Sequence, residues 1–382
     1  MLTIRLTRYR TLVSSRNSSY VIPTLTSSSS SFSTKSSASA SASASDNHVG
    51  DDDIDSEALG QGKHFNIHKP VLLKQVIDRL HLKSGACYID ATFGLGGHST
   101  SILDTCPDCF VIGIDRDPNV FNLTKQLRQR YKDRLITVQG PFSELSTLLK
   151  ENNLHTIPIS GILFDFGVSS YQLDSAERGF SFRKDLDGPL DMRMDNQSSR
   201  LSAYEIVNGF NNRQLRDIMY YYGEERHTKK VAEEIIRRRS IAPIATTNQL
   251  VEIIESCIPY PAALKSISRI FRSLRMYVND ETGEVRKGLL EAEKILQPNG
   301  HLVAISFHSI EDRIVKRFLK NRKSASFDFV DGSDPVYADE QEIEWNARSK
   351  PAVLRSAMRT QKPVANSKEV DGDEDDQLVF KW

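Results

Sequence analysis

The sequence predicts an α/β fold in which a mostly parallel sheet carries an inserted helical subdomain. Three observations lead there: short apolar runs alternate with helical segments, a glycine-rich turn follows the first run, and a long polar stretch parts the fourth run from the fifth. The runs lie at 87–89, 110–114, 135–138, 162–164 and 302–305. They are brief and do not alternate with polar residues, the pattern of strands buried on both faces of a parallel sheet. Their early spacing of roughly 25 residues suits right-handed βαβ units. Ahead of them, 71–80 has apolar residues at helical spacing with Pro70 placed for the first turn.

Between the fourth and fifth runs the chain is polar, charged and helical in pattern, as at 215–222 and 229–239. A structureless loop of that length does not suit a compact domain. Residues 178–284 are therefore expected to form an inserted helical substrate-binding subdomain, dividing the core into 65–177 and 285–358. Placed beside the carboxyl ends of the strands, such an insert helps to form a cleft.

At 382 residues and 39% hydrophobic, the chain has material for one substantial core and a smaller one. The 50 basic and 50 acidic side chains balance, so net charge names no partner. Acidic residues crowd 46–57 and 369–376, while Arg237-Arg238-Arg239 and the stretch from Lys265 to Arg275 are basic. Gathered on one face, those basic groups would hold phosphate; solvated helix faces are the alternative. Four cysteines do not make a disulfide framework. Cys106 and Cys109 have CxxC spacing without a second pair, so neither a metal nor a redox role is expected of them. No apolar run approaches the length of a bilayer span, so a soluble protein with no membrane partner is expected.

Residues 1–45 contain Arg5, Arg8, Arg10, Arg16 and Lys35, many serines, and no acidic residue. That is the composition of an organellar transit peptide. Arginines interleaved with Leu2, Ile4, Leu6, Leu12 and Val13 favour a mitochondrial destination, and the Ser/Ala stretch leaves a plastid open. An acidic disordered linker at 46–64 and an acidic disordered tail at 359–382 complete the expected organisation.

The sharpest local signal is Asp90-Ala-Thr-Phe-Gly94-Leu-Gly96-Gly97-His98, directly after the first strand. Glycines there let the backbone turn tightly and approach a ligand. Dinucleotide enzymes use a similar G-x-G-x-x-G turn, but Ser99 occupies the third glycine position and Asp90 precedes the turn. A carboxylate would repel a pyrophosphate and attract the ammonium of an amino-acid ligand, which favours S-adenosylmethionine over NAD. Asp115 ends the second strand, where an acid accepts hydrogen bonds from ribose hydroxyls; Asp117 and Pro118 suit the start of the next helix. Phe142, after the third strand, either stacks on adenine or belongs to the core.

Further on come Asp165-Phe-Gly-Val-Ser-Ser-Tyr-Gln172 after the fourth strand, then Arg178-Gly-Phe-Ser-Phe, Gly188-Pro-Leu-Asp-Met-Arg-Met-Asp195, and Ser306-Phe-His-Ser-Ile-Glu-Asp-Arg313 after the fifth. With His68-Lys-Pro-Val-Leu-Leu, Tyr222-Gly-Glu-Glu-Arg226, Leu274-Arg-Met-Tyr-Val-Asn279 and the block at 346–355, these resemble the ribosomal RNA cytosine-N4 methyltransferases known in bacteria as MraW or RsmH. The matching blocks run in order from Phe65 to Arg355. The resemblance implies a Rossmann-like methyltransferase in which Gly96, Gly97, His98, Asp115, Phe142, Asp165 and Gln172 contact S-adenosylmethionine, beside the Asp90 and Gly94 read from the turn itself. It implies a target cytosine in the decoding region of small-subunit ribosomal RNA, so the expected partner is that RNA or the assembling small subunit. One stretch departs from the pattern: before Leu274 the family has His-Pro-Ala-Thr-Arg and Phe-Gln-Ala, where this chain has Ser266-Ile-Ser-Arg269-Ile-Phe-Arg272-Ser.

A cytosine N4 amine is a poor nucleophile, so a site must position it and accept its proton. Candidate acceptors are Asp165, Asp191, Asp195 and His308, which the sequence does not rank. His308 also reads as a turn residue before a helix capped by Ser309, with Glu311 and Asp312 as helix-start residues. Arg178, Arg193 and Arg313 suit either phosphate or neighbouring carboxylates. No Cys lies at the ends of strands four or five, consistent with amine rather than C5 methylation. The alternative function is an RNA-binding ribosome-assembly factor on the same fold, and monomer and homodimer both stay open.

Overall fold

The computed structural model describes residues 70–322, 326–328 and 335–362. The expected transit peptide and acidic linker, and nearly all of the expected tail, lie outside these residues. The sheet contains β1 (Cys87–Asp90), β2 (Phe110–Asp115), β3 (Leu135–Gln139), β4 (Ile159–Asp165), β5 (Leu296–Ser306), β6 (Phe327–Asp328), β7 (Val336–Tyr337) and β8 (Val353–Arg359). Its order is β3-β2-β1-β4-β5-β8-β6, with β7 also against β8. β1 to β5 pair in parallel, while β8 runs antiparallel to β5. Connections leave β1 toward β2 and β3 on one side and return to β4 on the other. The carboxyl ends of β1 and β4 therefore flank a topological switch point, where open α/β sheets bind ligands.

The expected parallel strands form where the apolar runs lie, and Ile89, Ile112, Ile162, Phe164 and Ile305 are fully buried. β5 starts earlier than expected, at Leu296, and β8 escaped the sequence pattern altogether. In β8 only Leu354, Ala357 and Arg359 are buried, so it never reads as an apolar run. Arg359, assigned to the tail, is instead a buried strand residue that donates to Glu293 O and Ser326 O. The first helix spans Leu73–Leu80; Leu72 is left-handed, and Pro70 packs on Gly97 rather than opening the helix.

Between β4 and β5 stand helices Ala203–Gly209, Asn212–Tyr221, Thr228–Arg239, Thr247–Cys257 and Ala262–Asn279. Ser202 with Glu205, Asn211 with Gln214, and Thr246 with Gln249 close capping boxes, so their starts are set locally. Their apolar faces share a hydrophobic cluster that includes Ile218, Val231, Leu250, Ile254 and Leu274. The expected insert boundary at 284 is corrected: helix Glu281–Ile295 runs through it, and Asp280, left-handed, makes the break. Gly288 in that helix lets the Phe142 ring lie where a Cβ would meet it at 2.5 Å. Cys106 and Cys109, read as without a redox role, form a disulfide at the end of helix Gly97–Thr105.

Candidate active site

Three carboxylates end neighbouring strands: Asp115 on β2, Asp90 on β1 and Asp165 on β4. The turn after β1 lies over them. Gly94 (φ 50°) and Gly96 (φ 78°) take left-handed backbone that side chains rarely adopt. A Cβ on Gly94 would meet nothing closer than 3.8 Å, whereas one on Gly96 would strike Leu127 at 2.8 Å and one on Gly97 would strike Pro70 at 2.7 Å. Of the three, only Gly94 has room for a Cβ, in ordinary contact with Thr92 O and Ser169 Cβ, whereas Gly96 and Gly97 are needed for packing. The Gly94 N–H donates to Asp115 Oδ2 (2.7 Å) and the Asp117 N–H to Asp115 Oδ1 (2.8 Å). Asp90 accepts from the Ser99 hydroxyl at 2.7 Å, which explains why serine, not glycine, stands there. Burial pushes Asp90 and Asp115 up to about 6; hydrogen bonds from Ser99 and from Asp117 and Gly94 oppose it.

Asp165 is the least satisfied of the three. Its N–H is held by the Thr92 hydroxyl at 2.7 Å, while its buried Oδ1 has no hydrogen-bond partner among the described residues. Burial, with Asp90 and Glu311 nearby, raises its carboxyl well above the ordinary range. Oδ2 lies 3.7 Å from His98 Nδ1. His98 Nε2 is 3.0 Å from the Val71 carbonyl and must donate to it, so in the neutral ring Nδ1 turns a lone pair toward Asp165. Burial pushes His98 down to about 4, which keeps that ring neutral.

On the other side of Asp165 the start of helix Ser309–Asn321 brings His308 and Glu311. His308, not Ser309, is the cap: its Nδ1 accepts from the Glu311 N–H at 3.4 Å. Glu311 is buried, accepts from the Phe307 N–H at 2.8 Å and lies 3.0 Å from His308 Nε2. Burial would raise its carboxyl, yet His308 and Arg275 hold it below the usual value. Ligand atoms of Glu281, His308 and Glu311 lie within 4.8 Å of one another, a spacing open to a cation. Arg275 already bridges both Glu281 oxygens at 2.7 Å, however, so a guanidinium supplies that positive charge.

The 188–195 segment is gripped from two sides. Arg178, buried, pairs with fully buried Asp117 at 2.6 Å and donates to the carbonyls of Arg193 and Met194. Asn279 donates to Met192 O at 2.7 Å and accepts from the Met194 N–H at 2.8 Å. Met192 between them takes φ 61°, held there by these bonds. Asp117 also caps the helix Pro118–Leu123, as expected.

Among the candidate acceptors, Asp191 is engaged by Arg193 through both oxygens, and those bonds hold its carboxyl below the ordinary value against the opposing effect of burial. Asp195 accepts from the Gln197 N–H in a turn. Arg178, Arg193 and Arg313 all pair with carboxylates. Gln172 spends its amide on Asp117 and the Ser169 N–H. Phe142 packs with Phe164 and Phe166. His98, Gln172 and Phe142 thus build walls of the site within the protein. Arg275, Asn279, Glu281 and Glu311 escaped the sequence pattern as site residues; all but Glu281 stood inside matching blocks, the one available signal.

A glycine turn over strand-end carboxylates at the switch point, with an antiparallel strand closing the sheet, is the architecture of Rossmann-like S-adenosylmethionine-dependent methyltransferases. The family described as the MraW methylase family matches residues 65–360, and the chain belongs to it. It is 42% identical over 296 residues to "Ribosomal RNA small subunit methyltransferase H" of Wolbachia sp. subsp. Drosophila simulans, covering 76% of this chain and 99% of that protein. It is 42% identical over 317 residues to the protein of the same name from Methylobacterium nodulans, covering 78% and 91%. It is 40% identical over 277 residues to "12S rRNA N(4)-cytidine methyltransferase METTL15" of Bos taurus, covering 69% and 67%.

Proposed function

We propose that this chain methylates N4 of a cytosine in small-subunit ribosomal RNA, with S-adenosylmethionine as methyl donor and Asp165 as proton acceptor. The family and the relatives' names support the reaction. The observation that carries the acceptor is the buried, unpartnered Asp165 Oδ1 at the end of β4. The donor supplies an electrophilic methyl group carrying positive charge. Asp115 is suited to its ribose, Asp90 to its ammonium, and Gly94 to close backbone approach. The carboxylate form of Asp165 accepts an N4–H of the cytosine amine and takes that proton as the C–N bond forms and the donor's S–CH3 bond breaks to leave a neutral thioether; its raised pKa suits a proton acceptor. Neutral His98 offers a lone pair beside it rather than a competing cation. His308 and Glu311, paired at the start of helix Ser309–Asn321, form the far wall. A target in the decoding region is the reading that the sequence resemblance supports.

Asp165→Asn is expected to lower the single-turnover methylation rate by about 10²–10⁴-fold, the usual worth of an acid–base group, with S-adenosylmethionine binding retained. A variant retaining full turnover removes Asp165 from the reaction. We place the protein in an organelle, the mitochondrion before the plastid, on the acid-free, arginine-bearing composition of residues 1–45. A fluorescent fusion that stays in the cytosol overturns that placement.

A further inference from the structure

We propose that Arg272 is a binding site for a phosphodiester of the substrate RNA strand at the mouth of the site. The proposal rests on the RNA-methylating function above and names the group that recognises the backbone.

Arg272 lies on helix Ala262–Asn279 in a cluster of four arginines and four glutamates contributed by four segments. Three of the arginines have their own carboxylate: Arg275 bridges Glu281 at 2.7 Å, Arg313 meets Glu224 at 3.2 Å, and Arg269 lies 3.8 Å from Glu225. The fourth glutamate, Glu311, has His308. Arg272 has no carboxylate within ion-pair distance among the described residues. It donates from Nη2 to the Gly223 carbonyl at 3.0 Å, and its buried Nε has no partner. Arg272 is thus the one arginine of the cluster without a carboxylate in direct contact, and it is half buried. Burial, with Arg275 and Arg269 alongside, disfavours its charge.

An unpaired guanidinium out of water is costly, and an anion offsets that cost. Its position defines which anion. Arg272 holds the Gly223 carbonyl, and the next residue, exposed Glu224, accepts from Ser309 and Arg313 at the start of the helix that brings Glu311 toward Asp165. A group at Arg272 therefore stands beside that helix start, on a path open to the strand that carries the reacting base. The Gly223 carbonyl takes one Nη2 hydrogen and fixes the guanidinium plane, so the terminal amino groups, rather than the buried Nε, are the donors left for phosphate oxygens. A neutral side chain here leaves three arginines against four glutamates, a net negative charge that disfavours a phosphate.

The test uses the full chain and in-vitro-transcribed small-subunit ribosomal RNA. Arg272→Gln is expected to weaken RNA binding about tenfold, the worth of one charge-assisted contact, and to flatten the plot of log affinity against log salt by about 0.7, one phosphate on a single strand. S-adenosylmethionine binding by calorimetry stays at the wild-type value. Arg272→Lys retains the salt slope. Unchanged RNA affinity and slope in Arg272→Gln overturns the proposal, as does parallel loss of S-adenosylmethionine binding, which marks a structural defect. If the wild-type chain methylates the RNA while Arg272→Gln matches it, only this proposal falls; if the wild-type chain does not act on RNA, the functional reading falls with it.

Discussion

Asp90, Asp115 and Asp165 show how neighbouring carboxyls acquire different work from their surroundings. Asp90 and Asp115 are pushed up to about 6 by burial, against hydrogen bonds that oppose the shift. They carry full charge only above that range. A cationic donor favours the charged forms, so S-adenosylmethionine affinity is expected to fall as pH drops from 7 toward 5, with protons released on binding at the lower pH. Calorimetry in buffers of differing ionisation enthalpy reads both, and a pH-independent affinity contradicts the assignment. Stability without ligand runs the other way. The folded pKa exceeds the ordinary 3.8, so the folded state holds more protons between about 4 and 6 and these groups stabilise it as pH falls through that window. Asp115→Ala is expected to weaken S-adenosylmethionine binding about 10–100-fold through lost charge-assisted hydrogen bonds; unchanged affinity contradicts ribose binding. These acids were legible in the sequence because each directly ends or follows an apolar run. Glu281, Glu311 and Arg275 were not, because helix ends remote in sequence bring them together and no local spacing marks them.

At the scale of elements, the 188–195 segment has little regular structure and depends on its two clamps. Arg178→Met leaves Asp117 as a buried, uncompensated charge and is expected to cost about 3–5 kcal/mol in urea unfolding. Adding Asp117→Asn is expected to recover part of that loss; no recovery would mean that Arg178 acts through packing rather than charge. The parallel strands and the capped helices of the insert were readable because burial on both faces and capping boxes leave local signatures. β8 and the helix Glu281–Ile295 were misread for opposite reasons. The first buries only alternate residues of a polar-looking stretch, and the second continues the charge pattern of the insert past its true break at Asp280. The basic run Arg237-Arg238-Arg239 promised a phosphate face, yet Arg237 and Arg238 pair with Glu234 and Arg239 donates to the Val207 carbonyl. Charge runs reveal composition; pairing is decided only when the helices pack.

At the scale of the whole molecule, the sheet carries Asp90, Asp115 and Asp165 and the insert carries three of the four clustered arginines, each with its own hydrophobic cluster. Ile254→Ala, in the core of the insert, is expected to lower stability by about 2–5 kcal/mol. It is expected to raise the KM for RNA more than the Kd for S-adenosylmethionine, and equal effects on both would mean that the two parts do not divide the work. The carboxylate proposed to react, Asp165, lies on the core side, next to His98 from the helix after the glycine turn and electrostatically coupled to Glu311 from the helix after β5. The most direct measurement is nucleoside mass spectrometry of small-subunit ribosomal RNA incubated with the purified chain and S-adenosylmethionine. N4-methylcytidine is expected with the wild-type chain and lost with Asp165→Asn; methylation at cytosine C5, or none by a chain that binds the donor, would contradict the account.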